Sequence, residues 1–334
     1  MIDHNDQTTA PQFPTDNAAQ EKIMTQARPV EERTHYSPLA IIGICFAFFM
    51  LGNIIGSLVM LALAAANGLD FMTVLKSLNE DSPIGTRNFM RATLFINHLF
   101  SFILPAIATA VFCYRHHVWT YFRMKEKPSM RQIGLACLWF IVSIPLVQFA
   151  YQINKSLPLP QWMLSMEQNQ SGILQAIIAK ENFYEIIINV LLIGFIPAIG
   201  EEMMFRGLLQ QQIGRLLKNE HIIVWLSAAI FSAVHLQFQG FLARMVLGAL
   251  LGYMLIWTRN MWIPMLLHLL NNGLQVIGIY AFNIKSSEMD KLSEADKMPW
   301  YLVAASFVLA MGLGQYFRDH HNSPPKPSYT EGVF

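Results

Sequence analysis

Apolar residues in this chain gather into long stretches, with the charged residues mostly in the gaps between them. Eight stretches approach the length of a membrane-spanning helix, which needs about 20 largely apolar residues. They run over 38–66, 89–114, 132–153, 184–205, 221–237, 241–257, 261–281 and 299–317. The fifth and sixth are short and closely coupled. Their connector, Gln237-Phe238-Gln239-Gly240, leaves room only for a tight turn. This pattern predicts an all-α fold, a polytopic membrane helical bundle of about eight transmembrane helices. Segments 67–86 and 156–183 mix apolar and polar positions and read as interfacial amphipathic helices or loops. The polar residues 1–36 and the Pro-containing residues 318–334 read as disordered tails around a single membrane-embedded unit, 37–317. No apolar run opens the chain, so the first span is expected to do the targeting.

Composition agrees with the pattern. Of 334 residues, 54% are hydrophobic and 13% charged, against roughly 25% charged in soluble domains. Mean hydropathy is +0.36. A soluble globule this apolar would expose too much hydrophobic surface. The net charge of +1 gives no field that would favour nucleic acid. Cys45, Cys113 and Cys137 all fall in apolar runs and read as small core residues. Basic residues concentrate in the short loop 115–131, which holds Arg115, Arg123, Lys125, Lys127 and Arg131, and again at Arg215, Lys218 and Arg259. The loops on the other side are longer, and their lysines are diluted by acids. The positive-inside rule then puts both termini in the cytoplasm of a cell-membrane protein.

Against this background, polar residues inside the spans carry the functional information, because each is costly to insert. Glu201 and Glu202 follow the apolar run 186–196. Glu202 and Arg206 are four apart and share a helical face, so they can pair. Glu201 is turned about 100° away and is freer to exchange protons. A bare Glu-Glu pair is equally at home where a helix ends at the cytoplasmic interface, but Arg206 and the kinking Pro197 weigh against that. In the fifth span, Phe231 and His235 stand one turn apart. In the seventh, His268 and Asn272 are four apart and can both donate to a developing oxyanion. Each cluster alone fits helix–helix hydrogen bonding. Together they supply a base for water and electrophilic donors for a carbonyl, the parts needed for amide hydrolysis. Asn97, His98, Asn189, Arg244 and Gln275 read as interhelical hydrogen bonders.

These three clusters resemble the EExxxR, FxxxH and HxxxN motifs of the CPBP intramembrane proteases, the CAAX-protease and bacteriocin-processing family that includes Rce1. The resemblance covers roughly 184–281. It implies a helical bundle with a cavity open to membrane and cytoplasm, in which Glu201 and His235 activate water. It implies an oxyanion site at His268 and Asn272, with Glu202, Arg206 and Phe231 in support. It favours an endopeptidase without a required metal. Zinc remains the alternative, held by Glu201, His235 and His268, although no HExxH occurs on one helix. The expected partner is a membrane-associated protein or peptide substrate. Two other functions fit parts of the pattern. One is a non-catalytic binder conferring bacteriocin immunity or assisting export, and the other is a proton-coupled carrier. The absence of repeats weakens the carrier.

Overall fold

The computed structural model describes residues 34–178, 182–282 and 298–321. Those residues form ten helical elements and no strand. In chain order they are α1 Pro38–Ala66, α2 Phe71–Ser77, α3 Ile84–Tyr121, α4 Met130–Lys155, α5 Gln161–Ile178, α6 Phe183–Leu216, α7 Glu220–Ala233, α8 Phe241–Thr258, α9 Trp262–Ala281 and α10 Trp300–His321. Local sequence starts several of them. Ser37 accepts from the Ala40 amide ahead of Pro38, Ser129 and Gln132 make a reciprocal capping box, and Asn219 caps α7.

Seven of these helices are long and apolar enough to cross a membrane. The protein is a multi-pass membrane protein, and its large exposed side chains are those a lipid-facing surface carries, such as Phe46, Leu58, Ile141 and Leu309. The fifth expected span, 221–237, is the exception. It forms α7, only 14 residues long, or about 21 Å at 1.5 Å per residue, against about 30 Å of hydrocarbon. The chain leaves the helix after Ala233, and Leu236 takes a left-handed φ of 53°. Two other spans are longer than their hydropathy suggested. The second reaches from Ile84 to Tyr121, and the fourth from Phe183 to Leu216.

Segments 67–86 and 156–183 hold α2 and α5. They bury Val74 and Ile177 with Ala64, Phe89 and Met90 against the ends of α1 and α3. Residues 1–33 and 322–334 of the expected tails lie outside the described residues, as do Lys180, Lys285, Lys291 and Lys297. Residues 318–321, read from sequence as tail, continue α10 instead. The three cysteines are free thiols.

Two packed regions flank the functional residues. α4, α8, α9 and α10 share one core through Trp139, Leu251, Met254, Ile263, Leu267 and Phe317. α1, α3, α6 and the end of α8 share another, with Tyr121, Met203, Phe205, Leu208, Phe231 and Leu255. α6 threads between them. It also widens into i→i+5 turns over Val190–Phe195 and Glu202–Gln210, while α3 does so over Leu99–Ile103. Such turns are rare and gather at functional sites.

Candidate active site

Glu201 and Glu202 sit in the middle of α6, buried, with relative exposures of 5% and 0%. They do not end a helix at an interface. Burying carboxylates here is tolerable only with partners, and the partners differ between the two.

Glu202 is held by structure-bearing groups. Its Oε1 accepts from Arg206 Nη1 at 2.9 Å and lies 2.8 Å from His268 Nδ1. Arg206 also donates through Nη2 to the Gly248 carbonyl of α8 at 3.0 Å, and its guanidinium lies 4.3 Å from the centre of the Phe231 ring. One turn along, Gln210 donates to the Gly252 carbonyl at 3.0 Å. α6 thus docks on α8 by two side-chain-to-backbone bonds spaced by one turn. The glycines permit close approach. A Cβ on Gly252 would stand 2.7 Å from Gln210 Oε1 of α6, while one on Gly248 would stand 3.2 Å from Ala228 Cβ of α7, so Gly248 lets α7 approach α8.

Glu201 is surrounded by imidazoles. His235 Nε2 and His268 Nε2 lie 3.6 and 3.8 Å from its Oε2, and His98 Nε2 lies 3.6 Å from its Oε1. The other nitrogen of each ring is engaged. His235 Nδ1 is 2.8 Å from the Phe231 carbonyl, His268 Nδ1 faces Glu202, and His98 Nδ1 is 3.1 Å from the Leu94 carbonyl. Each Nδ1 meets an acceptor and therefore carries a hydrogen, which leaves each Nε2 aimed at Glu201.

His235 is not within a span. It stands two residues past the end of α7, on a connector fixed from three sides. Asn154 of α4 donates to the Phe238 carbonyl at 2.9 Å and accepts from the Leu242 amide at 2.7 Å. Glu167 of α5 accepts from the Gln239 amide at 2.9 Å. Arg244 binds Gln237 of the same connector. The left-handed Leu236 makes the turn that returns the chain to α8.

Asn272 lies on α9 one turn past His268. Its side-chain amide donates to the Ile193 carbonyl at 3.1 Å, and its Oδ1 accepts from Asn271 at 2.9 Å. Those two bonds orient the amide and leave one of its hydrogens uncommitted. An apolar cavity of about 290 Å³ adjoins the cluster, lined by Ile41, Cys45, Phe102, Phe205, Leu208 and Val234 among others. Its wall includes Phe102, which packs on His98, and Val234, which precedes His235.

The structure therefore brings Glu201, Glu202, Arg206, Phe231, His235 and His268 into one cluster, with Asn272 on the same helix as His268. The sequence reading placed His98 among interhelical hydrogen bonders; it does reach from α3 to α6, and the group it meets there is Glu201. Gln210, Gly248 and Gly252 went unremarked, although the Gly-xxx-Gly spacing was a signal for close helix approach. Asn189 does bridge helices, through Arg91 and Tyr280. Asn97 is exposed and meets Ser101 of its own helix, and Gln275 is exposed.

The fold and the cluster define a polytopic membrane protein with a buried carboxylate–imidazole site. Residues 183–274, which hold all of that site except His98, match the family model described as type II CAAX prenyl endopeptidase Rce1-like. Over that segment the chain is similar to the Rce1-like CAAX prenyl endopeptidase domain. Over 162 residues the chain is 28% identical to the uncharacterized protein YpbD of Bacillus subtilis strain 168, covering 47% of this chain and 77% of that one. Over 144 residues it is 24% identical to the membrane-embedded CAAX protease MroQ of Staphylococcus aureus strain USA300, covering 42% of this chain and 56% of that one. No solved structure matches the chain.

Proposed function

We propose that the protein is an intramembrane endopeptidase that hydrolyses a peptide bond of a membrane-associated protein or peptide with a water activated by Glu201 and His235. The observation that carries this reading is the convergence of His235 Nε2 and His268 Nε2 on Glu201 Oε2, at 3.6 and 3.8 Å. In this mechanism Glu201 accepts a proton from water as the oxygen adds to the scissile carbonyl carbon. The negative charge that develops on the carbonyl oxygen is met by an Nε2–H of His268, which requires that ring to carry a hydrogen on both nitrogens, and by the uncommitted amide hydrogen of Asn272. The C–N bond then breaks, and the proton passes to the departing amine. Glu202 stays out of the chemistry, holding Arg206 and the Nδ1–H of His268. The apolar cavity walled by Phe102 and Val234 takes an apolar part of the substrate.

No step is routed through a metal. Zinc held by Glu201, His235 and His268 is the alternative. Elemental analysis of active, purified protein checks this. Stoichiometric zinc whose removal abolishes cleavage and whose return restores it would overturn the metal-free mechanism.

Both termini are proposed to face the cytoplasm, on the charge of the short loops. The substrate is found by mapping new peptide termini in cells carrying the wild-type protein or Glu201→Ala. Termini that need the wild-type protein, and that Glu201→Ala, His235→Ala and His268→Ala each abolish while remaining folded, support the proposal. If all three variants cut normally, it fails. A phenotype kept in full by Glu201→Gln would point instead to a non-catalytic binding role.

A further inference from the structure

His98 belongs to none of the three motifs and comes from α3, a helix outside the matched segment 183–274. We propose that His98 is a positioning residue of the site, holding Oε1 of Glu201 so that Oε2 is presented to His235 and His268. The inference rests on the reading of Glu201 as the base.

Four observations carry it. The first is distance: His98 Nε2 lies 3.6 Å from Glu201 Oε1, as close as His235 comes to the other oxygen. The second is hydrogen placement. With Nδ1–H given to the Leu94 carbonyl, His98 turns Nε2 to a group that in its ionised form only accepts. A hydrogen carried on Nε2 would therefore point at Oε1. The third is the way the ring is fixed. Phe102 packs on it at 5.8 Å between centroids, and Phe102 packs in turn on Phe205 of α6 at 6.2 Å. The fourth is the approach of the backbones. The wide turn Leu99–Ile103 begins directly after His98 and presses on Gly200, the residue before Glu201. A Cβ at Gly200 would stand 2.9 Å from Ile103 and 3.0 Å from Phe102. A side chain there would have to displace the turn that follows His98.

The physical consequence concerns the last torsion of the glutamate. That torsion is broad and nearly two-fold when unrestrained. With partners on one oxygen only, the carboxylate can swing. With His98 on Oε1 and two imidazoles on Oε2, its plane is fixed from both sides. Pre-orientation of this kind acts on the reaction step and leaves substrate binding alone.

The test uses the full chain in detergent or nanodiscs. Infrared difference spectra between wild type and Glu201→Gln identify the carboxyl bands of Glu201 without any substrate. His98→Ala is expected to shift and broaden those bands. His98→Gln, whose side-chain amide can donate from the position of Nε2, should keep them near wild type. With a peptide spanning a mapped cleavage site, His98→Ala should lower kcat on the order of 10- to 100-fold at unchanged KM, and His98→Gln should recover most of that loss. Glu201 bands in His98→Ala identical to wild type, or an unchanged kcat in that variant, would overturn the proposal. Should Glu201→Gln itself cleave normally, the protease reading fails, and the infrared comparison still decides whether His98 holds the carboxyl group.

Discussion

Two adjacent glutamates with the same intrinsic chemistry end up in different situations because each side chain leaves the helix in its own direction. Glu202 points at Arg206 and the Nδ1 of His268, while Glu201 points at three imidazole Nε2 atoms. The two should therefore fail differently. Glu201→Gln keeps shape and loses the base, so cleavage should fall by about 10²- to 10⁴-fold, with a thermal midpoint in detergent close to wild type. Glu202→Ala leaves Arg206, at 1% exposure, as an unpaired interior cation. Its cost is about 3–5 kcal/mol, seen as a lowered melting midpoint along with lost activity. Equal destabilisation by the two variants would contradict this division. The pairing of Glu202 with Arg206 was legible in the sequence, because a spacing of four is enough to bring two side chains together on one helix. The partners of Glu201 were only half legible. His235 and His268 were named from their spans, but nothing in the spacing of His98 relates it to a residue a hundred positions away.

At the scale of elements, the geometry of the site depends on how one short helix ends. α7 stops after Ala233, and the following connector is held by Asn154, Glu167 and Arg244. Hydropathy carried the expected span through His235, because Val234 and Leu236 are as apolar as the helix before them. The left-handed turn at Leu236 and its tertiary anchors override that local preference. Asn154→Ala removes two of the anchoring bonds. It is expected to lower kcat about 10-fold or more through misplacement of His235, with a smaller effect on stability, readable from kinetics and melting side by side. The contact between α6 and α8 has its own test. Gly252→Val puts a branched side chain where Gln210 Oε1 already lies 2.7 Å from a Cβ position. That overpacking should cost roughly 1–3 kcal/mol, whereas substitution at Gly43, which faces open space, should be silent. The wide turns after His98, Asn189 and Glu201 could not be read from the sequence. A one-residue change in hydrogen-bond register leaves the apolar composition of the helix unchanged.

Across the whole molecule, a second buried polar centre ties the bundle together away from the glutamate pair. Arg87 and Arg91 of α3 reach Glu185 Oε2 of α6 at 3.2 and 2.7 Å, and Arg91 also binds Asn189 and the Ile177 carbonyl of α5. Glu185 is fully buried. Glu185→Ala strands two arginines in the interior and is expected to cost about 3–5 kcal/mol, with loss of folded protein on detergent extraction as the measure. Orientation is the other property at this scale. Reporter fusions at the two ends should both respond as cytoplasmic, and a periplasmic or extracellular signal from either would overturn the charge-based topology.

The sequence by itself determined the solvent and the raw chemistry. Runs of about 20 apolar residues demand a bilayer, and carboxylates, imidazoles and amides inside such runs mark a site because leaving them unpartnered is so costly. Helical spacing further fixed which near neighbours share a face. Only the tertiary structure decided which helix supplies the third imidazole, that α7 stops short of a full span, and that His268 stands between the two glutamates, with Nδ1 at Glu202 and Nε2 at Glu201. Those outcomes depend on close packing between segments far apart in the chain. Such packing is set by the shapes of both surfaces at once, a property that no local window of sequence contains.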